Sequence, residues 1–217
     1  ESQQVFNLHQ GTSPLLVSVP HAGRHIPGEL RPLFTSKALE VHDTDWHLDV
    51  LYDYVKTQTA SLLVPKHSRY VIDLNRPPDG VAMYPGANNT GLCPVTDFYG
   101  ESIYQPGCAP SAQQVAQRIA QYWQPYHDAL ASELARIQAL HGYAALFDGH
   151  SIKSQVPWLF EGTLPDLNIG TANGASCAGN LRQAVANLLA GQDAFTHVVD
   201  GRFKGGSITR GFADPAE

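Results

Sequence analysis

Short apolar runs alternate along this chain with stretches whose apolar residues recur at helical spacing, and that alternation restricts the fold more than any other feature. The first run, Pro14 to Pro20, holds Leu15, Leu16, Val17 and Val19 and reads as a short buried strand. Leu62 to Val64, Tyr70 to Leu74 (entered from Arg69), Ala144 to Phe147 and Thr196 to Val199 read as further strands, with Leu167 to Ile169 as a candidate for one more. Between them, Trp46, Val50, Leu51, Tyr54 and Val55 form a helical stripe capped by Asp43 or Thr44. Val115, Ile119, Trp123, Tyr126, Leu130, Leu134 and Ile137 form a longer one, in which Pro125 is expected to kink or break the helix. Leu181, Val185, Leu188 and Leu189 give a third, stopped at Gly191. Strands alternating with helices predict an α/β fold, with a mainly parallel or mixed sheet flanked by helices in one domain over residues 1–217.

Composition narrows the function. A hydrophobic share of 43% excludes disorder, and 217 residues suit one core. The net charge of −6, from 14 basic and 20 acidic residues, argues against a nucleic-acid or anionic-membrane partner. It also means that an anionic ligand needs Arg or Lys gathered in one place. No run approaches the roughly 18 apolar residues of a membrane span, and the polar start Glu1-Ser2-Gln3-Gln4 is not a secretory signal. The 3 Cys (Cys93, Cys108, Cys177) form no CxxC pair, which disfavours a disulfide framework and a thiolate zinc site and fits a reducing, cytoplasmic compartment. Pro77 to Pro110 is dense in turn residues, including Pro85-Gly86, Asn88-Asn89 and Pro106-Gly107, and a connection so long is expected to be a lid or binding loop.

In an open α/β sheet, ligands bind at the carboxyl ends of strands. The polar residues there are Pro20-His21-Ala22-Gly23 after the first strand, Asn75-Arg76 after Tyr70–Leu74, and Asp148-Gly149-His150-Ser151 after Ala144–Phe147. A hydrolytic zinc takes about three protein ligands and leaves one position open. His21 and His150 supply two. The segment His42-Asp43-Thr44-Asp45-Trp46-His47 offers the third, with Asp45 preferred and Asp43 as the alternative. Asp148 is placed to orient an imidazole. The competing reading of any one of these histidines is a hydrogen-bonded loop residue, and His25, His47, His67, His127, His141 and His197 are read as surface or packing residues. Arg69 and Arg76 present donor forks that match a carboxylate, the competing reading being a salt bridge with Asp73 or Asp79. Gly201-Arg202-Phe203-Lys204-Gly205-Gly206-Ser207-Ile208-Thr209-Arg210 is basic and glycine-rich, and could cradle a carboxylate or an oxyanion or be a solvated hairpin.

Taken in order, Pro20-His21-Ala22-Gly23, His42-Asp43-Thr44-Asp45-Trp46, Ser68 through Arg76, Phe147-Asp148-Gly149-His150-Ser151, Pro165-Asp166-Leu167-Asn168-Ile169-Gly170-Thr171 and Gly201 through Gly206 resemble the N-formylglutamate amidohydrolase family over nearly the whole chain. The resemblance implies a phosphorylase/hydrolase-like α/β fold related to zinc carboxypeptidases. It implies hydrolysis of N-formyl-L-glutamate to formate and L-glutamate in histidine degradation, with a divalent metal, zinc by expectation. By motif, His21, Asp45 and His150 become the metal ligands, and Arg69, Asn75 and Arg76 bind the substrate or transition state. Arg69 joins the ligands as a catalytic residue. The two carboxylates of a glutamyl substrate account for Arg in an acidic protein, and Arg76 and Arg210 are the candidates to hold them. The family pattern continues into a Gln-x-Glu segment whose Glu resembles the carboxypeptidase general base. The chain ends at Asp214-Pro215-Ala216-Glu217, so it is expected to be truncated before that residue. Glu161 could stand in, though nothing local favours it over a solvated carboxylate. The alternatives are a related metal-dependent amidohydrolase acting on another N-acyl amino acid, and a non-catalytic module that binds metal or amino acid.

Overall fold

The computed structural model describes residues 4–81 and 90–215. Pro85-Gly86, Asn88-Asn89, the first residues of the chain and Glu217 lie outside them. The chain falls into two compact units, Glu1–Ile152 and Lys153–Glu217.

The first unit is built on a sheet of order β1-β3-β2-β4, with β1 Phe6–His9, β2 Leu15–Ser18, β3 Ser61–Pro65 and β4 Ala145–Asp148. β1 runs antiparallel to β3, while β3, β2 and β4 are parallel, so the sheet is mixed. β2 is central, and Leu16, Val17 and Ser18 are all buried, as a strand covered on both faces requires. Val17 and Val19 pack with Ala22, Leu48, Val55, Ala60 and Leu62. Each fully buried Leu or Val there contributes roughly 1.5–3 kcal/mol. On the other face, Ser18 Oγ meets the Tyr126 hydroxyl at 2.9 Å. Burial alternates along β1, an edge strand that the apolar pattern did not mark.

Two expectations need correction. The stripe from Trp46 to Val55 is not one helix. It is a single turn, α1 Leu48–Leu51, followed by a 3-10 turn at Asp53–Lys56, and Val50, Leu51 and Tyr54 are exposed. His47 enters α1 in the left-handed region with no side-chain cap, which leaves the turn little to propagate from. Tyr70–Leu74 is not a strand, although it is buried. Its backbone carbonyls accept from side chains instead of a neighbouring strand: Arg118 donates to Val71 O at 3.0 Å and His127 Nε2 lies 2.8 Å from Leu74 O. Just beyond it, Trp123 Nε1 donates to Arg76 O at 3.0 Å.

Those donors come from the long helical stripe. α2 Ala112–Arg118 opens with a Ser111–Gln114 capping box, passes through one π turn at Ile119–Trp123, and continues as α3 Gln124–His141. The π turn falls where Pro125 withdraws an N–H from the ladder, and it puts the proline in the first turn of α3. Pro125 thus inserts a wide turn rather than ending the helix. Trp123 stacks on His127 at 3.6 Å and 12°, which sets both side chains against residues 74–76.

The second unit pairs β5 Leu167–Ile169 in parallel with β6 His197–Val199 across α4 Gly179–Ala190, which stops at Gly191 as expected. α5 Ser207–Gly211 follows the glycine-rich motif.

Candidate metal centre

β2 and β4 are parallel neighbours, and Ser18 pairs with Asp148 at their carboxyl ends. The loops that leave them therefore emerge side by side, which brings His21 and His150 to a ring separation of 4.9 Å. The His21 loop is fixed from two sides. Asp45 N donates to His21 O at 3.0 Å, and Gly23 lies so close to His67 that a Cβ would sit 2.2 Å from the His67 carbonyl. Only glycine permits that approach.

His21, Asp45 and His150 offer ligand atoms that all lie within 4.8 Å of one another. Asp45 Oδ2 is 3.1 Å from His150 Nδ1 and 3.8 Å from His21 Nδ1. The far nitrogens are held by carboxylates: His21 Nε2 by Asp73 Oδ1 at 2.6 Å, and His150 Nε2 by Asp148 Oδ2 at 2.9 Å. A ring that gives its Nε2–H to a carboxylate presents its Nδ1 lone pair inward, the second-neighbour arrangement that metal-binding imidazoles use. Two imidazoles and one carboxylate, with carboxylates behind both rings, fit a divalent cation such as zinc. Asp43 is turned elsewhere, accepting from Phe98 N at 2.9 Å.

Charge is densely balanced here. Burial opposes ionisation of Asp45, but hydrogen bonds from His150 and His21 outweigh it and hold the carboxyl well below its usual range. Partial loss of hydration opposes the imidazolium of His150, which is itself exposed at its edge, yet Asp148 and Asp45 push its pKa up to about 10. Asp43, with fewer partners, is pushed up by burial. A cation taken up by this cluster would displace the His150 proton.

Asp73 is the hub. It is fully buried and accepts from His21 Nε2, from Asn75 N at 2.9 Å and from Arg69 NH2 at 2.5 Å. Burial works against its charge, but Arg69, His21 and Arg76 keep it well below the usual carboxylate range. Arg69 is buried too, with its guanidinium 4.8 Å from the Phe98 ring centre and 4.0 Å from Asp45. The salt bridge considered for Arg69 is therefore present, and it is part of the cluster. Asn75 Nδ2 lies 3.0 Å from His150 Nε2 and donates to Asp148 at 3.3 Å. Arg76 bonds Thr90 O, Thr90 Oγ1 and Asn75 O, which uses three of the five N–H groups a guanidinium carries. Arg210 belongs to α5 of the second unit, and Glu161 is an exposed residue of that unit.

The sequence reading missed Asp73 as a site residue, treating it only as an ion-pair partner. A signal was present, because an acidic residue between Ile72 and Leu74 in an apolar run is tolerated only when it is paired. Phe98, Arg118 and Trp123 carried no local signal.

Fold and cluster together define a class: a mixed-sheet α/β protein with a His-His-carboxylate group at the carboxyl ends of adjacent parallel strands. Residues 13–217 match the family described as N-formylglutamate amidohydrolase. N-formylglutamate deformylase of Pseudomonas putida is 46% identical over 99% of this chain and 80% of its own length, and that of Pseudomonas aeruginosa is 44% identical over the same shares. The crystal structure of N-formylglutamate amidohydrolase from Ralstonia eutropha superposes with a TM-score of 0.78 at 23% identity, covering 96% of this chain and 80% of that one. A gene product of Agrobacterium tumefaciens gives 0.69 at 20% identity, over 93% and 75%. The chain belongs to the N-formylglutamate amidohydrolase family.

Proposed function

We propose that this protein hydrolyses the formyl amide of N-formyl-L-glutamate to formate and L-glutamate, using a divalent cation, zinc by preference, held by His21, Asp45 and His150. The observation that carries the proposal is the three-donor cluster with a buried Arg69 beside it. Relatives of this chain, 46% and 44% identical, bear the name N-formylglutamate deformylase. When bound, the cation supplies a Lewis acid that lowers the pKa of water and polarises the formyl carbonyl.

The chain's own residues do the rest. Asp73 and Asp148 hold the two rings so that Nδ1 of each faces inward. Arg69, kept charged by Asp73, Asp45 and Asp43, offers a fixed positive group where the formyl oxygen gains charge as water adds to its carbon. Held in place before the reaction, it needs no reorganisation during it. Asn75 braces the His150–Asp148 pair and presents a side-chain amide to the substrate. Arg76 keeps two N–H groups for a substrate carboxylate, and Arg210 is a candidate for carboxylate recognition on its motif alone. The net charge of −6 makes such local cations necessary for a dianionic substrate. No described helix is long and apolar enough to cross a membrane. The free thiols of Cys93, Cys108 and Cys177 favour a reducing, cytoplasmic setting, where the reaction would serve histidine degradation. We read the architecture as phosphorylase/hydrolase-like and akin to the zinc carboxypeptidases.

The test is release of the free amino acid (glutamate or aspartate) from N-formyl-L-glutamate, N-formyl-L-aspartate and N-acetyl-L-glutamate, after chelation and after zinc is restored. The proposal expects the first substrate to lead and zinc to restore its turnover. Equal rates on all three would defeat the substrate assignment, and full activity after exhaustive chelation would defeat the metal assignment.

A further inference from the structure

A second pair of imidazoles meets away from the metal centre. His25 and His67 form an isolated parallel bridge, in which His25 N donates to Lys66 O and Ser68 N donates to His25 O, both at 2.9 Å. Backbone bonding of this kind holds the paired residues side by side. The two ring centres lie 5.2 Å apart, edge to face, against 4.9 Å for His21 and His150. Two imidazoles bound to one cation at about 2.1 Å and a tetrahedral angle have ring centres roughly 5 Å apart, so this spacing suits a shared ion.

His67 is the unusual partner. It is 6% exposed, and neither of its ring nitrogens has a hydrogen-bond partner. Buried side-chain nitrogens are almost always paired, so two orphans on one ring call for a cause. Tyr122 packs against the ring with centres 4.5 Å apart but does not bond it. The Val5 carbonyl lies near enough to favour a proton on the ring, yet its bond is with Lys66 N at 2.9 Å. Burial, with His25 and Lys66 beside it, holds the His67 pKa down to about 4. At neutral pH the ring is therefore uncharged and keeps a lone pair, the form that a metal ligand needs. Glu29 acts against Lys66 and favours positive charge at this place. His25 is exposed, so an ion can reach the pair from solvent.

We propose that His25 and His67 form a second binding site, for a divalent transition cation of the kind that prefers imidazole, with water completing its coordination. Copper, nickel and zinc share that preference. The site uses none of His21, Asp45 and His150, and it does not rest on the proposed reaction. It has two protein donors where the first cluster has three, and Lys66 opposes its charge, so it fills after the first.

The experiment titrates Zn2+ into the full chain and its His25→Ala variant by calorimetry, while imidazole resonances are followed by NMR. Wild type is expected to take up a second, weaker equivalent whose binding shifts the rings of His25 and His67. In His25→Ala that equivalent should weaken by at least the roughly tenfold to hundredfold that loss of an orienting partner costs a metal site. The first equivalent should bind as in wild type. His25 is exposed, so the variant should fold, and its NMR spectrum checks this. His67 resonances that do not move at saturating Zn2+ overturn the proposal. So does a second equivalent bound by His25→Ala with wild-type affinity, since the ion would then sit elsewhere. Failure of the deformylase assay, or of the first equivalent, leaves the response of His25 and His67 readable, so the two readings fail separately.

Discussion

Replacing Asp73 by Asn removes one negative charge from the point where His21, Arg69 and Arg76 converge, with little change in shape. Asp73 has no solvent exposure, and its Oδ2 is the nearest partner of a buried guanidinium at 2.5 Å. Taking one partner from a buried ion pair costs about 3–5 kcal/mol. Arg69 keeps Asp45 at 4.0 Å and the field of Asp43, which offsets part of the loss. The expected destabilisation is about 2–4 kcal/mol, a large share of a typical domain's stability. A second effect falls on His21. The Asn amide can donate to Nε2, which moves the ring proton to Nδ1, where it competes with a cation. Loss of an orienting carboxylate lowers metal affinity about tenfold to hundredfold. Urea unfolding in chelator reads the first effect, and zinc titration against a competing chelator reads the second. A loss of less than about 1 kcal/mol would refute the ion-pair argument. Unchanged zinc affinity in a folded Asp73→Asn protein would refute the orienting role, whatever happens to stability.

Further expectations test other parts of the structure. His150 has a raised pKa of about 10 in the metal-free protein, so its contribution to stability is full below its unfolded value near 6.5 and is lost as pH rises through about 10. Melting temperature in chelator should fall across that window while zinc affinity rises, because a proton no longer has to be displaced; flat profiles for both would remove His150 from the cluster. Gly23→Ala should lower stability by about 1–3 kcal/mol and weaken zinc binding, since its Cβ would meet the His67 carbonyl at 2.2 Å and displace the His21 loop. A variant that melts and binds zinc like wild type would show that the loop is not fixed there. Glu133→Ala removes the acceptor of Ser61 Oγ, Gln10 and Arg136 and should cost about 1–3 kcal/mol with zinc affinity intact. A parallel loss of zinc would mean the two regions are coupled.

Much of the candidate centre was legible because its residues obey a topological rule. β2 and β4 are marked by their apolar runs, a parallel sheet puts the strand ends on one edge, and polar residues just past them are forced together. His21 and His150 follow from that logic with no knowledge of their distance, while the need for a third donor left Asp45 and Asp43 both open until the structure grouped Asp45 with the two rings. The edge strand Phe6–His9 escaped because half of it faces solvent, and its two buried positions are too few to stand out. The stripe at Trp46–Val55 misled because helical spacing counts apolar residues without knowing which reach the core. Only Leu48 and Val55 are buried there, and Leu48 was not part of the stripe.

The segment Arg69–Arg76 shows why a buried apolar run can be a poor guide to secondary structure. A strand would have satisfied its backbone with a neighbour, but it would also have sent alternate side chains to opposite faces. Arg69, Asp73, Asn75 and Arg76 have mixed parity along such a strand, so it could not have turned all of them to one centre. The irregular path avoids that restriction, and its cost is a set of buried carbonyls that need donors. Arg118, Trp123 and His127 supply them from a single helical surface, with the π turn between α2 and α3 adjusting their phase. The helix is therefore part of the machinery that positions Asp73 and Asn75, although none of those three side chains is a member of the metal cluster. Sequence periodicity records that α2 and α3 are amphipathic, but the bonds that make them functional run between side chain and backbone across roughly fifty residues of chain, where no local pattern reaches.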